Sequence, residues 1–220
     1  MDEALFLGSN SLSSIAAAAA IQSASVPDEH IVAVFFSVAW LEASLNEIIH
    51  LLLRPERIAD SPQYNRVAIA ARAAKLDGRT ASLDLKLQVL CAAATDDSLA
   101  LGQAPWQHLT LLLDLRNAIV HLRPERVKVR RGQDDEPSSL VTDQDQANDI
   151  IKRLLSAGAL DSFPQGYMVP ILTAAQRPTI GRWSYATVYR VLEQVAEWLP
   201  SWREHIIAVH RSPEVLRPAV

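Results

Sequence analysis

From Glu29 to Arg54 the chain reads "EHIVAVFFSVAWLEASLNEIIHLLLR", without a single glycine or proline. Its apolar residues recur at helical intervals rather than alternating, so the spacing predicts one long α-helix. Asp28 precedes it as an N-cap residue type, and Pro55 stops it. A helix this long and this apolar must be covered by others. The remaining sequence supplies them.

Further helices are expected at "SLSSIAAAAAIQSAS" (11–25), "PQYNRVAIAARAAKL" (62–76), "ASLDLKLQVLCAAA" (81–94), 105–122, "DQANDIIKRLLSAG" (145–158) and "RWSYATVYRVLEQVAEWL" (182–199). Gly158 is a natural C-terminal stop. Residues 123–143 are expected to hold a brief extended piece and an exposed polar loop, and 161–181 to be largely irregular. The pentapeptide "LRPER" occurs twice, at 53–57 and 122–126, but its flanks fall out of register. It reads as shared helix-stop chemistry, not duplication. The expected architecture is all-α: a helical bundle of one domain over 1–220, with a long insertion after the helix at 105–122.

Composition narrows the function classes. With 220 residues, 49% hydrophobic and 21% charged, the chain is long enough for a sizeable core. A net charge of −4 excludes a wholly basic nucleic-acid binder, so any polyanion must be drawn by a local patch. The single cysteine, Cys91, excludes an intramolecular disulfide and a cysteine-based metal cluster, and its setting "LQVLCAAA" reads as core. The start "MDEALFLGSN" lacks the positive charge of an export signal. The run "IVAVFFSVAWL" has acidic flanks and is too short to span a bilayer. A cytoplasmic protein without membrane attachment is expected.

The segment "LLLDLRNAIVHLRPERVKVRR" (111–131) carries the polar residues of interest. Asn117 and His121 are one helical turn apart, and Asp114 and Thr110 continue their stripe. Leu109, Leu112, Leu113, Leu115, Ile119 and Leu122 fill the remaining arc. Arg116 points among Leu109, Leu113 and Val120, where an unpaired guanidinium is expensive. The long helix offers partners, because its stripe Phe35, Val38, Ala39, Ile49 and Leu53 is interrupted by Glu42 and Asn46. One of these is expected to meet Arg116. The opposite face, with Phe36, Trp40, Glu47 and Leu51, reads either as a subunit interface or as one side of a helix buried all round.

RNA can be cleaved without metal where a base takes the 2′-hydroxyl proton, an acid protonates the leaving 5′-oxygen, and donors hold the phosphorane charge. Histidine serves as either base or acid, arginine suits phosphate, and asparagine orients a neighbour. One histidine per chain leaves the acid–base pair incomplete, whereas a two-fold dimer with the motif at its seam supplies two. As a unit, "LRNAIVH" late in an amphipathic helix resembles the signature of the HEPN superfamily, the higher eukaryotes and prokaryotes nucleotide-binding domains. That signature is Arg-x(4–6)-His, often with a polar residue after the arginine.

The resemblance covers about a dozen residues. It implies an all-α bundle of HEPN type and homodimers in which both motifs face one cleft. It also implies metal-independent endoribonuclease activity on RNA, with no cofactor, in toxin–antitoxin, phage-defence or RNA-processing systems. Some members instead bind nucleotides or act as scaffolds. Arg116, Asn117 and His121 match the motif as its catalytic residues, with Glu42, Asn46 and Asp114 in support. The chain departs from members paired with nucleotidyltransferase antitoxins, which commonly carry a tyrosine two residues after the histidine. Here that residue is Arg123. The basic run Arg123, Arg126, Lys128, Arg130 and Arg131 reads as a phosphate-binding strip, balanced by Glu125 and the following "DDE".

Other chemistries are less well supplied. Glu47 and His50 form one Glu-x-x-His pair, but a di-iron bundle needs a second, which the sequence lacks. His30, His108, His205 and His210 show no ligand spacing, so no metal is expected. Trp183, Tyr185, Tyr189, Trp198 and Trp202 read first as core anchors and second as base-stacking surfaces. The non-enzymatic alternative is a HEPN-like binding or scaffold module in which His121 is structural.

Overall fold

The computed structural model describes residues 8–22, 25–26, 28–54, 62–77, 81–121, 127–131, 137–142, 145–161 and 170–200. Eight helices are found there: α1 (Gly8–Gln22), α2 (Glu29–Leu52), α3 (Pro62–Ala73), α4 (Leu83–Thr95), α5 (Trp106–Val120), α6 (Asp145–Ser156), α7 (Ile171–Ala175) and α8 (Pro178–Trp198). Between α5 and α6 lies an antiparallel hairpin, β1 (Val127–Arg131) with β2 (Pro137–Thr142). The architecture is an all-α helical bundle carrying that hairpin.

The centre of the bundle is α2. It packs most extensively on α1, then on α8, and also meets α3 and α5. Alanine makes the first contact close: Ala16, Ala17, Ala19 and Ala20 of α1 are all buried, and without long side chains they let the two backbones approach. On the α8 side, Trp40 is fully buried and stacks on Tyr185, with ring centroids 5.1 Å apart. Trp40 is thus a core residue and does not lie on a subunit interface. The face carrying Trp40 is covered by α8, whereas the edge of α2 that carries Glu42, Asn46 and His50 stays exposed. The 24-residue α2 is long and apolar enough to cross a membrane by length and composition, but half of its most apolar window is buried inside the protein.

A second aromatic stack closes the far end of the bundle, where Trp106 of α5 and Trp198 of α8 lie 5.3 Å apart. Gln63 of α3 ties the same region by donating to the carbonyls of Ala94 and Trp198, at 3.3 and 3.1 Å. Tyr185, Tyr189 and Trp198 are buried, as core anchors should be. Cys91 is also buried, with its Sγ 3.7 Å from Thr95 Oγ1.

Local chemistry explains most boundaries. Ser82 caps α4 by accepting from the Leu85 N–H at 3.2 Å. Gly158 ends α6 with φ of +68°, while the Ala159 N–H reaches back to the Leu154 carbonyl at 2.9 Å. Asp28 is a correction: it precedes α2 but makes no side-chain cap. Its Oδ1 accepts instead from Gln176 Nε2 at 3.4 Å, a partner 148 residues away.

The two segments expected to be irregular contain more structure than the sequence indicated. In 123–143, "VKVRR" pairs with "PSSLVT", Val127 opposite Thr142 and Arg130 opposite Ser139. The register slips between Arg130 and Arg131, and Pro137 opens its strand, a position that needs no ladder donor. Within 161–181, α7 forms over Ile171–Ala175. α8 begins four residues early, at Pro178, because proline is well suited to the first helical turn. Both copies of "LRPER" fall largely outside the described residues.

Truncating the central stack should cost about 3–5 kcal/mol. Trp40→Ala is therefore expected to lower the urea midpoint sharply, read by far-UV circular dichroism. The His30 imidazole is buried and its Nδ1 has no partner among the described residues; burial holds its pKa below the ordinary 6.5. The unfolded chain then binds the proton more readily, so stability should fall as the pH drops below 6.5 and level off below the folded pKa. Denaturation midpoints measured across that range should show a shallower slope in His30→Gln.

Candidate functional site

The motif sits at the C-terminal end of α5. The helix docks through Trp106, Leu109, Leu111, Leu112, Leu115 and Ile119, all buried. Its last intrahelical bond runs from the His121 N–H to the Asn117 carbonyl at 2.9 Å, with His121 as the C-cap residue. Pro124 follows three residues on, where a proline discourages continuation.

Two ion pairs hold this helix from different sides. Arg116 Nη2 donates to Glu42 Oε1 of α2 at 3.4 Å, so the sequence-derived partner for the anomalous arginine is found in Glu42. Asp114 Oδ2 accepts from Arg153 Nη1 of α6 at 2.8 Å, and Arg153 also lies 3.7 Å from Asp149. Positions 114 and 116 are about 200° apart around a helix, so the pairs pull toward opposite neighbours. The arc around Arg116 is an edge of the helix: Leu113 is half-buried and Val120 is 49% exposed. The guanidinium therefore reaches solvent as well as Glu42.

Asn117 and His121 are both exposed, next to each other at the helix end. Among the described residues, no hydrogen bond links the side chains of Arg116, Asn117 and His121. The structure thus places an arginine on an interhelical carboxylate and leaves an amide and an imidazole open to water. Lys128, Arg130 and Arg131 lie on β1 of the hairpin that follows, while Arg123 and Arg126 fall outside the described residues.

Asn46 does not meet Arg116. Its Oδ1 accepts from Lys86 Nζ of α4 at 2.6 Å. Lys86 was missed in the sequence although a signal was present: it interrupts the apolar spacing of Leu83, Leu87 and Leu90, much as Arg116 interrupts that of α5. The lysine is 8% exposed. A cleft opens beside it, bordered by Glu42 and Asn46 but by none of the three motif residues.

His108, on the first turns of α5, faces Trp183 with ring centroids 6.2 Å apart. Burial, then the nearby Arg190 charge, holds its imidazole below the usual pKa. No group of three or more His, Cys, Asp or Glu side chains arranged to hold a metal ion is found among the described residues.

The two polar contacts of α2 should differ in weight. Glu42 and Arg116 are 48% and 30% exposed, and such pairs contribute about 0–1 kcal/mol. Removing the amide from a buried ammonium costs about 1–3 kcal/mol. In urea titrations Asn46→Ala should therefore destabilise the protein more than Glu42→Gln. Compared with protein-family models, curated proteins and solved structures, the chain matches none, so the reading of the site rests on its own residues.

Proposed function

We propose that the protein is a metal-independent endoribonuclease of HEPN type. It acts on RNA as a homodimer in the cytoplasm, in a toxin–antitoxin or phage-defence system with an antitoxin or defence-system protein as partner. The observation that carries this reading is the state of the motif. Arg116 is held by Glu42, while Asn117 and His121, one turn apart, are exposed at the end of α5.

In the reaction, the 2′-hydroxyl oxygen attacks the adjacent phosphorus and the bond to the 5′-oxygen breaks. A 2′,3′-cyclic phosphate and a free 5′-hydroxyl result. His121 takes the 2′ proton or delivers one to the 5′-oxygen, and the partner subunit's copy of the same residue does the other task. Asn117 orients the attacking hydroxyl. Arg116, which is 30% exposed, offers donors to the charge that develops on phosphorus. The basic residues of β1 give the RNA backbone a sequence-independent hold.

One observation favours a second reading, a non-catalytic nucleotide- or RNA-binding or scaffold module. Arg116 is engaged by a carboxylate on another helix, and that contact alone would justify its presence. The readings separate on cleavage. Wild-type protein incubated with total RNA and a chelator should give products ending in 2′,3′-cyclic phosphate, and His121→Ala should give none while keeping the helical spectrum. Equal cleavage by the variant would remove His121 from the chemistry. No cleavage by folded wild type would favour the scaffold.

A further inference from the structure

Away from the motif triplet, a cleft of about 590 Å³ opens between α2, the turn after α3 and the start of α4. Its size falls within the roughly 300–1,000 Å³ typical of small-molecule sites. Ile49, Leu76 and Leu83 give it apolar surface. Around them stand Glu42, Asn46 and His50 from one stripe of α2, Asp77 from the turn, and Ser82 and Lys86 from α4.

Lys86 sets the chemistry. A buried ammonium is expensive unless it is well paired. Among the described residues its one partner is Asn46, a neutral acceptor, and it forms no ion pair with a carboxylate. An ammonium carries three donors, so two N–H groups remain for something that enters the cleft. The wall beside Lys86 is the N-terminal turn of the 13-residue α4. Ser82 caps the Leu85 amide there, which leaves the amide of Leu83 and the positive end of the helix dipole at the same wall.

Elsewhere, beside His50, the cleft carries two carboxylates. Glu42 offers a carboxylate that is half exposed despite Arg116, and Asp77 is exposed. A bare anion held by Lys86 would meet those carboxylates unfavourably. An anion with hydroxyls on its other end would satisfy both sides, because hydroxyls donate to carboxylates. We infer that this cleft binds a small organic anion of the sugar-phosphate class, with its phosphate on Lys86 and the first turn of α4 and its hydroxyls on Glu42 and Asp77. The inference does not depend on RNA cleavage.

Three probes test it on the full chain: ribose 5-phosphate, inorganic phosphate and ribose, each followed by calorimetry and by amide chemical shifts. Ribose 5-phosphate should bind at one saturable site, moving amides of residues 42–50, 76–77 and 82–86. Inorganic phosphate should bind more weakly and ribose more weakly still. Lys86→Met keeps the aliphatic length without the charge and should weaken ribose 5-phosphate about tenfold or more. Absence of saturable binding to the wild type, ribose binding as tightly as its phosphate, or equal binding of inorganic phosphate would each overturn the assignment. Unchanged affinity in folded Lys86→Met would do the same. If that variant does not fold, the wild-type shift map decides, and shifts confined to other parts of the bundle overturn the proposal.

Discussion

The rest of the structure depends on the burial of α2 from several sides at once. Alanines of α1 bring one neighbour close, and Tyr185 of α8 stacks on Trp40 from another direction. α3 and α5 complete the surround. Such a helix gains hydrophobic stabilisation on each face its neighbours cover, at roughly 25 cal/mol per Å² of apolar surface removed from water. Whatever packs on it inherits its orientation. α5, which bears the motif, is one of those neighbours.

Charge then adjusts what packing has placed. Arg116 and Asp114 link α5 to α2 and α6, but both pairs are partly solvated, and solvated pairs add little energy. They join a helix already docked by Leu111, Leu112, Leu115 and Ile119. Lys86 is different, since it is buried and answered only by an amide. Arg116 shares its carboxylate partner with solvent, whereas Lys86 has donors to spare beside a cleft.

Periodicity made the helices legible, because 3.6-residue spacing survives whatever tertiary neighbours are chosen. Gly158 and Pro55 made some boundaries legible for the same local reason. Asp28 did not behave as its residue type suggested, since Gln176 from the far end of the chain takes its carboxylate. The hairpin was half visible: "VKVR" reads as extended, but its partner "SSLVT" is recognisable only once something lies beside it to pair with. Trp40 was open to two readings, a subunit interface or a buried face, because a helical wheel shows which residues share a face and not which faces are covered.

The sequence by itself determined the all-α architecture, the placing of Arg116, Asn117 and His121 near one helix end, and the off-stripe direction of that arginine. Each follows from spacing along one segment. Only the tertiary structure decided between Glu42 and Asn46, buried Trp40, and joined α2 to α4 around Lys86. Those outcomes depend on which elements meet, and contacts between residues 40 or more positions apart leave no trace in local spacing.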